Sequence, residues 1–359
     1  MGILRFLLAI TVVIGHTSPI LGFTFVGAQL AVQTFYIISG FYMALILNEK
    51  YVGANGSYKL FLTNRLLRLY PIYWTVLLCT IAYSLMLYIH TDGRDYGRLN
   101  MYIRYCHDIG PLSFLYLAFT NIFLFLQDTI MFLGLDTKSG HLFFTSNFRN
   151  SQPMLYQFML IPQAWTIGVE IAFYLIAPFI ARRKLSVIVP LILLSLLLRI
   201  ALYFGAGLQH DPWTYRFFPT EMVFFFLGIA AYHLYKKIQT LEIRAHYLKL
   251  IWLGIVSFTV CYHLFSSTYL AYLYLIVFFL SLPFVFMLTK KWKKDAFIGE
   301  LSYPIYISHI LVQYCLTFFK IPLIGGRGLT LTIFTILFSI LLNELVAKRM
   351  EKVRQKRLS

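Results

Sequence analysis

The sequence predicts an all-α membrane protein, a polytopic bundle of about ten transmembrane helices. Of its 359 residues, 59% are hydrophobic and only 13% are charged, whereas a soluble globular chain carries about 25% charged residues. Apolar stretches long enough to cross a bilayer also recur along the chain. The charged residues lie in short runs between these stretches, as expected for the loops of a multi-pass protein.

Ten segments are long and apolar enough to be predicted spans. The first is short, so we expect either local thinning of the bilayer or extension by its flanks. The predicted spans are 3–18, 27–47, 71–90, 163–181, 185–204, 219–235, 247–265, 268–288, 301–319 and 326–347.

The positions of the basic residues predict the orientation. With the N-terminus inside, 22 Lys and Arg residues fall on the cytoplasmic side and 8 on the outside. This asymmetry predicts cytoplasmic N- and C-termini. It also accounts for the net charge of +17 without nucleic acid as a partner, so the expected surroundings of the protein are lipids.

The segment 112–135 is almost apolar enough to span, but it contains Asn121, Gln127 and Asp128. An eleventh span here would place Arg182–Lys184 outside or invert all later spans. We therefore predict that this segment re-enters the membrane or lies on its outer surface, which requires that its irregular backbone be buried in protein.

Two further boundaries follow from the pattern. Residues 58–70 resemble an amphipathic cytoplasmic helix that we expect to stop at Pro71. We assign residues 1–347 to a single membrane domain and the basic residues 348–359 to a cytoplasmic tail that acts as an anchor. The outer region 91–162 is polar, without clear periodicity.

The first predicted span contains two ionisable residues, Arg5 and His16. In a helix they lie about 16 Å apart along the axis, so each is near a different membrane face. An ionisable group within a span is costly and is a functional candidate by default. The alternatives are that Arg5 extends to the interface as a topology signal and that His16 is a satisfied polar residue at a helix end.

Glu170 lies in the fourth predicted span, about seven residues from its outer end. His16 is its natural partner, because both lie in the outer half of the membrane. A carboxylate orients a histidine in one tautomer and makes it more basic, which suits it to take a proton from a hydroxyl. A purely structural pair with His16, Arg199 or Arg5 is the alternative.

Arg65 and Arg68 are three residues apart on one helix face at the cytoplasmic edge. Guanidinium pairs bind phosphates bidentately, so a diphosphate-containing donor would suit them. Ordinary anchoring at the interface is the alternative.

Other polar residues are weaker candidates. Residues near span ends that could line a cavity, but whose position also suits a structural role, are Arg199, Glu221, Glu300 and His309; a polar outer loop, expected to be solvated, contains His210, Asp211 and Arg216. The four cysteines show no metal-ligand spacing, and we predict neither a disulfide framework nor a metal site.

Five motifs, in order along about 300 residues, resemble those of the acyltransferase family 3 membrane proteins, which O-acylate envelope carbohydrates. Thr166 and Gly168 depart from the family pattern. The motifs are Arg5-x10-His16, Phe35-x-x-x-Ser39-Gly40-Phe41, Arg65-x-x-Arg68-x-x-Pro71, Trp165 to Glu170 with Phe173-Tyr174-Leu175, and Ser302-Tyr303-x-x-Tyr306-x-x-His309.

The resemblance implies a fold and an activity. It implies acetyl-CoA or another acyl-CoA as the donor, a donor site at Arg65 and Arg68 with Arg5, and His16 as the catalytic base with Glu170 beside it. The acceptor would be a saccharide hydroxyl, on a surface polysaccharide, a lipopolysaccharide or a lipid-linked precursor. The location would be a bacterial inner membrane. Whether His16 acts as a base or carries the acyl group stays open.

Two rival functions use the same polar residues. A transporter or flippase for a lipid-linked sugar would use them for passage, although we find neither inverted repeats nor matching broken helices. A receptor or scaffold would leave His16 and Glu170 without a role.

Overall fold

A computed structural model describes residues 1–265 and 267–357 of the chain. Within these residues nearly all regular structure is helical, which confirms the predicted all-α class. One short antiparallel hairpin pairs β1 (Leu133–Leu135) with β2 (Leu142–Phe144). The helices are α1 (Gly2–Gly15), α2 (Ala28–Glu49), α3 (Tyr58–His90), α4 (Asn100–Arg104), α5 (Pro111–Phe123), α6 (Trp165–Ile180), α7 (Leu185–Ile200), α8 (Phe218–Ile238), α9 (Ala245–Cys261), α10 (Thr268–Thr289), α11 (Lys293–Glu300), α12 (Ser302–Phe318), α13 (Arg327–Leu342) and α14 (Lys348–Lys356).

Every predicted span coincides with a helix, and among the described residues seven helical segments are long and apolar enough to cross a membrane. This fits a polytopic bundle. Three helices at predicted spans are not among the seven: α1, with 14 residues, α8, with 21, and α12, with 17. The count of ten therefore stays a prediction, as does the orientation. The seven segments are Ala28–Glu49, Tyr58–His90, Pro162–Ile180, Leu185–Gly205, Ala245–Leu264, Tyr269–Thr289 and Arg327–Lys356.

The contacts divide the chain into two compact units. Unit 1 contains Met1–Arg68, Ile176–Leu193 and Val223–Ser359. Unit 2 contains Leu69–Leu175 and Leu194–Met222.

α1 lies at the centre of unit 1, where it packs against α2, α11, α12 and α13. Its sequence is almost wholly apolar, so it buries side chains on most of its circumference. This central position fixes both ends of the helix that carries Arg5 and His16. The buried apolar cluster around it comprises Ala9, Ile10, Val13, Ile14, Leu301, Ile305, Val312 and Leu331.

The first turn of α1 is capped by a carboxylate from another helix. Asp295 of α11 accepts hydrogen bonds from the Gly2 amide at 2.6 Å and the Ile3 amide at 2.9 Å, and from the amine of Met1 at 2.8 Å. These amides have no partner within α1, and an acidic group suits a helix N-terminus. Burial alone would raise the pKa of Asp295, but these bonds hold its pKa below the ordinary value.

α2 and α8 cross within unit 1 at two glycines. A Cβ atom at Gly40 would collide with the carbonyl of Phe225, and one at Gly228 would collide with the carbonyl of Ile37. Small residues allow such close approach of helix backbones in membrane proteins. The glycine of the Phe-x-x-x-Ser-Gly-Phe motif is therefore a packing residue.

The expected helix stop at Pro71 is wrong, because α3 runs without interruption from Tyr58 to His90. A proline in a helix removes only one backbone N–H donor. In an apolar segment a broken helix would expose several more backbone groups, so continuation costs less. The carbonyl of Pro71 also accepts a hydrogen bond from the Thr75 hydroxyl at 2.7 Å.

The segment 112–135 does not form a membrane-spanning helix. α5 has 13 residues, about 20 Å of helix against the roughly 30 Å of a bilayer core. After α5 the chain turns at Leu124, where φ is +60°, and continues through a 3-10 turn into the hairpin.

Three aromatic side chains of α3 bind the last carbonyls of α5. Tyr70 donates to the carbonyl of Phe123 and Tyr73 to that of Asn121, while the Trp74 indole donates to Ile122 at 2.9 Å. The last carbonyls of a helix lack partners in the helix itself. The three side chains supply these missing hydrogen-bond partners, which explains how α5 ends inside unit 2 rather than extending.

Candidate active site

His16 lies directly after the last residue of α1, at its C-cap. Its backbone N–H donates to the carbonyls of Val13 and Ile14, and its side chain is exposed. The helix therefore ends one turn earlier than predicted and presents the imidazole at its end.

A second imidazole lies beside His16. The ring of His309 in α12 is fully buried, and its centroid is 5.0 Å from that of His16. Its Nδ1 lies 2.7 Å from the carbonyl of Tyr306. A carbonyl only accepts, so Nδ1 carries the proton and Nε2 is left as an acceptor.

Nε2 of His309 has no hydrogen-bond partner among the described residues. A neutral imidazole with a free acceptor nitrogen can orient a neighbouring N–H or accept a proton. The sequence had placed His309 near a span end, as a residue that could be structural. The structure instead makes it the neighbour of His16.

Glu170 lies in the part of α6 that belongs to unit 2. Its Oε1 accepts a hydrogen bond from the hydroxyl of Tyr174, one turn later, at 2.6 Å. Because His16 belongs to unit 1, the pairing of Glu170 with His16 stays a prediction.

Gly168, where the chain departs from the family pattern, lies against the chain that follows α5. A Cβ atom there would lie 2.6 Å from the carbonyl of Leu124 and 3.4 Å from the amide of Gln127. The missing side chain thus leaves room for the turn at the end of α5, two residues before Glu170.

The two arginines of the Arg-x-x-Arg motif differ in burial. Arg65 is buried, with 5% of its surface exposed, and Arg68 is exposed. A buried guanidinium interacts with an anion more strongly than an exposed one, because water and salt screen it less. Arg65 is therefore the stronger candidate for binding a phosphate.

A third arginine reaches this pair from the C-terminal segment. Arg354 of α14 is buried, with 7% exposed, and the charges of both Arg65 and Arg68 act on it. Arg357 fixes α14 there by donating to the Asn64 side-chain oxygen at 3.1 Å and to the Thr63 hydroxyl at 2.8 Å.

The sequence did not predict Arg354 as a site residue, because the basic tail has the composition of a simple membrane anchor. A signal was present: Arg354-x-x-Arg357 repeats the spacing of Arg65-x-x-Arg68. Residues 358 and 359 of the predicted tail lie outside the described residues. The arginine cluster, defined here as Arg65, Arg68 and Arg354, concentrates positive charge in one place of unit 1.

Arg5 lies at the same end of α1 as this positive charge. A Cβ atom at Gly299 would lie 3.6 Å from its Nη1, which places the guanidinium beside α11. The charges of Arg5, Arg68 and Asp295 all act on the Tyr42 phenol. The structure thus puts Arg5 and Arg68 near one residue.

Two opposite-charge pairs lie in unit 2. Arg199 donates to Oε1 of the fully buried Glu221 at 2.5 Å, and also to the carbonyls of Thr214 and Thr220. The outer loop is not the solvated loop that the sequence suggested. Arg216 and Asp211 form a bidentate pair at 2.7 and 3.1 Å, with side chains 15% and 17% exposed.

Comparison with known proteins gives one finding. The family model described as "Acyltransferase domain", Acyl_transf_3, matches residues 1–344. No curated protein and no solved structure matches the chain. Since the family model covers nearly the whole chain, with several helices able to cross a membrane, the chain belongs to acyltransferase family 3 and is a multi-pass membrane acyltransferase.

Proposed function

We propose that this membrane acyltransferase moves an acetyl or other short acyl group from cytoplasmic acyl-CoA to a hydroxyl of a saccharide. The acceptor is a cell-surface polysaccharide, a lipopolysaccharide or a lipid-linked precursor, and the membrane is a bacterial inner membrane. The observation that carries the proposal is the separation of two groups along α1 of unit 1. An imidazole pair lies at one end, and arginines lie at the other.

The arginine end suits the charged part of CoA. Its diphosphate and 3′-phosphate are best matched by guanidinium groups, which bind phosphate oxygens bidentately. Arg65 and Arg68 are the proposed phosphate ligands, with Arg5 beside the start of the pantetheine arm. An extended arm spans about 15–20 Å, and the levels of Arg5 and His16 differ by about 16 Å. The thioester of a donor held at the arginines therefore reaches His16.

The imidazole end suits the transfer. His16 takes the proton of the acceptor hydroxyl as its oxygen attacks the thioester carbonyl carbon. The C–O bond forms, the C–S bond breaks, and the CoA thiolate leaves and takes up a proton. His309 Nε2 is positioned to accept a hydrogen bond from an imidazolium, and Glu170 supplies the negative charge that favours that state.

The test measures CoA release from the purified protein in lipid. With acetyl-CoA and an envelope saccharide we expect free thiol to appear together with an O-acetylated saccharide, detected by mass spectrometry. A protein that exchanges saccharide across vesicles without consuming acetyl-CoA would be a transporter, and the proposal would be wrong. Omitting the acceptor separates the two roles of His16, because an acyl-imidazole relay transfers acetyl to the protein and a simple base does not.

A further inference from the structure

α13 carries a line of polar side chains through the interior of unit 1. Thr332, Thr335 and Ser339 of α13 and Asn343, the residue directly after it, are separated by three, four and four residues. They share one face of the continuous helical segment Arg327–Lys356. They are 6%, 0%, 0% and 2% exposed. We call this set the α13 polar face. The remainder of the helix is mostly Ile, Leu and Phe.

These side chains lack the hydrogen bonds that buried polar groups ordinarily make. The hydroxyls of Thr332, Thr335 and Ser339 and the amide nitrogen of Asn343 have no partner among the described residues. An apolar residue in each place would avoid the cost of burying an unbonded polar group. Four such positions on one face indicate a ligand with its own polar groups.

Many other buried hydroxyls in the described helices have a hydrogen-bond partner. Several donate to the carbonyl four residues earlier, a common local arrangement. The contrast shows that membrane-type helices of this chain normally satisfy hydroxyls locally and that the α13 polar face does not. The locally bonded examples are Thr11 to Leu7, Thr34 to Leu30, Thr80 to Val76, Thr259 to Ile255 and Ser308 to Pro304.

α13 lies beside α1 within unit 1. α13 packs against α1 and α12. At its first turn, the Gly328 amide donates to the Ser18 hydroxyl at 2.9 Å, and a Cβ atom at Gly328 would collide with the backbone of Ser18 and Pro19. α13 thus begins beside the residues that follow His16.

From that end α13 runs back along α1. Thr332 and Asn343 are eleven residues apart, about 16 Å along the axis. The same number of residues separates His16 from Arg5. The α13 polar face therefore has the same axial length as the interval between the imidazole end and the arginine end.

We infer that the α13 polar face binds the pantetheine arm of the acyl donor. This inference rests on the proposed function and adds the binding site of the arm to it. The arm contains two amides and a hydroxyl, with the two amides about 5 Å apart in an extended chain. One helical turn is about 5.4 Å, so successive side chains of the face match successive polar groups of the arm. Hydroxyls and a carboxamide both donate and accept, as amides require.

The test replaces two hydroxyls without changing shape, in Thr335→Val with Ser339→Ala. We expect the KM for acetyl-CoA to rise about 5- to 100-fold from the loss of two hydrogen bonds, with the KM for the acceptor unchanged. The Tm without donor should stay equal or rise, because unbonded buried hydroxyls are removed. A purely structural role predicts the reverse: a lower Tm and an unchanged donor KM.

Thr80→Val is the matched control. Thr80 is 3% exposed and its hydroxyl donates to Val76 at 2.8 Å, so the same chemical change is made at a locally bonded site of unit 2. We expect no change in the donor KM. An equal rise in the control would show that any buried Thr→Val change disturbs donor binding, and would overturn the inference.

A photoreactive CoA with a diazirine on its pantetheine arm tests the α13 site separately from the use of acyl-CoA as the donor. Labelling of a peptide containing residues 327–343 supports the inference, provided that unmodified acetyl-CoA competes. Competed labelling elsewhere in the chain overturns the α13 site and leaves the acyl-CoA function standing. No competed labelling at all overturns acyl-CoA as the donor, and the inference with it.

Discussion

The two units differ in how they arrange ionisable side chains. Unit 1 contains clusters of like groups beside its opposite-charge pairs, which include Met1 with Asp295 and Arg354 with Glu351. The ring of His16 lies 5.0 Å from that of His309, and the charges of Arg65 and Arg68 act on the buried Arg354. Groups of like charge are costly to bury together, so such clusters indicate a bound ion, a ligand or a proton transfer.

Unit 2 contains two opposite-charge pairs among its less exposed ionisable residues. Arg199 bonds to Glu221 at 2.5 Å, and Arg216 to Asp211 at 2.7 Å. Glu170 is bonded to a neutral hydroxyl one turn away. Opposite pairs already satisfy one another and serve structure.

The difference shows that the mere presence of ionisable residues in a membrane helix does not identify a site. What matters is whether their neighbours satisfy them. By this criterion the imidazole pair of unit 1 is the stronger candidate for the proposed chemistry, and Glu170 is the residue of unit 2 whose role most needs a test.

The largest effect is expected for His16→Ala. A positioned general base contributes about 10²–10⁴-fold to rate, so we expect the loss of nearly all transfer. His16 is exposed at a helix end, so the Tm should change little. The steady-state rate of CoA release measures the loss of transfer, and thermal unfolding of the same variant measures the Tm. Full activity in His16→Ala would contradict the mechanism proposed above.

Glu170→Gln completes this test as a double-mutant cycle. The amide keeps the shape and loses the charge that favours an imidazolium, so activity should fall, but less than in His16→Ala. If the two residues act as one unit, the double variant is little worse than His16→Ala alone. Losses that multiply would show that Glu170 acts independently of His16 and would break their predicted pairing.

The second effect is on stability and concerns Glu221→Gln in unit 2. Removing one partner of a buried ion pair costs about 3–5 kcal/mol. We expect about 2–4 kcal/mol, because the Arg199 side chain is 23% exposed. Thermal unfolding in detergent should show a lower Tm with unchanged KM values for donor and acceptor. A stable variant with an altered KM would move this pair into the substrate site and break the comparison between units.

The sequence predicted those features of the fold that depend on local chemistry. Every predicted span coincides with a helix, because an apolar stretch must satisfy its backbone bonds internally. The end of α5 was not predictable in the same way. It depends on hydrogen bonds from Tyr70, Tyr73 and Trp74, about fifty residues away.

For the site, the sequence identified single residues better than their neighbours. His16, Arg65 and Arg68 were candidates from spacing and motif. The proximity of His309 to His16, the burial of Arg354 and the unbonded hydroxyls of α13 depend on helix packing. The prediction failed at Pro71. Proline ends many helices in water, but within an apolar helix it removes one backbone hydrogen bond and the helix continues.

The third effect concerns Arg65→Lys and Arg68→Lys. Lysine keeps the charge but loses the bidentate geometry, so the KM for acetyl-CoA should rise. We expect about 10- to 100-fold at the buried Arg65 and less at the exposed Arg68, where water and salt screen the charge. Steady-state kinetics at two salt concentrations measure the donor KM of each variant and how strongly salt screens it. An unchanged donor KM in both variants would return the pair to ordinary interfacial anchoring.

The smallest effect is expected for Arg354→Gln, which removes one charge from the arginine cluster. Without an anion, the loss of repulsion from Arg65 and Arg68 offsets the loss of the ion pair with Glu351, so the Tm should change little. With acetyl-CoA, the KM should rise about 3- to 10-fold and the rise in Tm on adding CoA should shrink, because ligand stabilisation follows binding affinity.

Arg349→Gln removes the same charge from an exposed position of α14, so it should change neither quantity. If both variants behaved alike, the effect of Arg354 would come from the net charge of the C-terminal segment. A lower Tm in Arg354→Gln with an intact response to CoA would show that Arg354 has a structural role, like the ion pairs of unit 2. In that case the grouping of like charges would not identify the donor site.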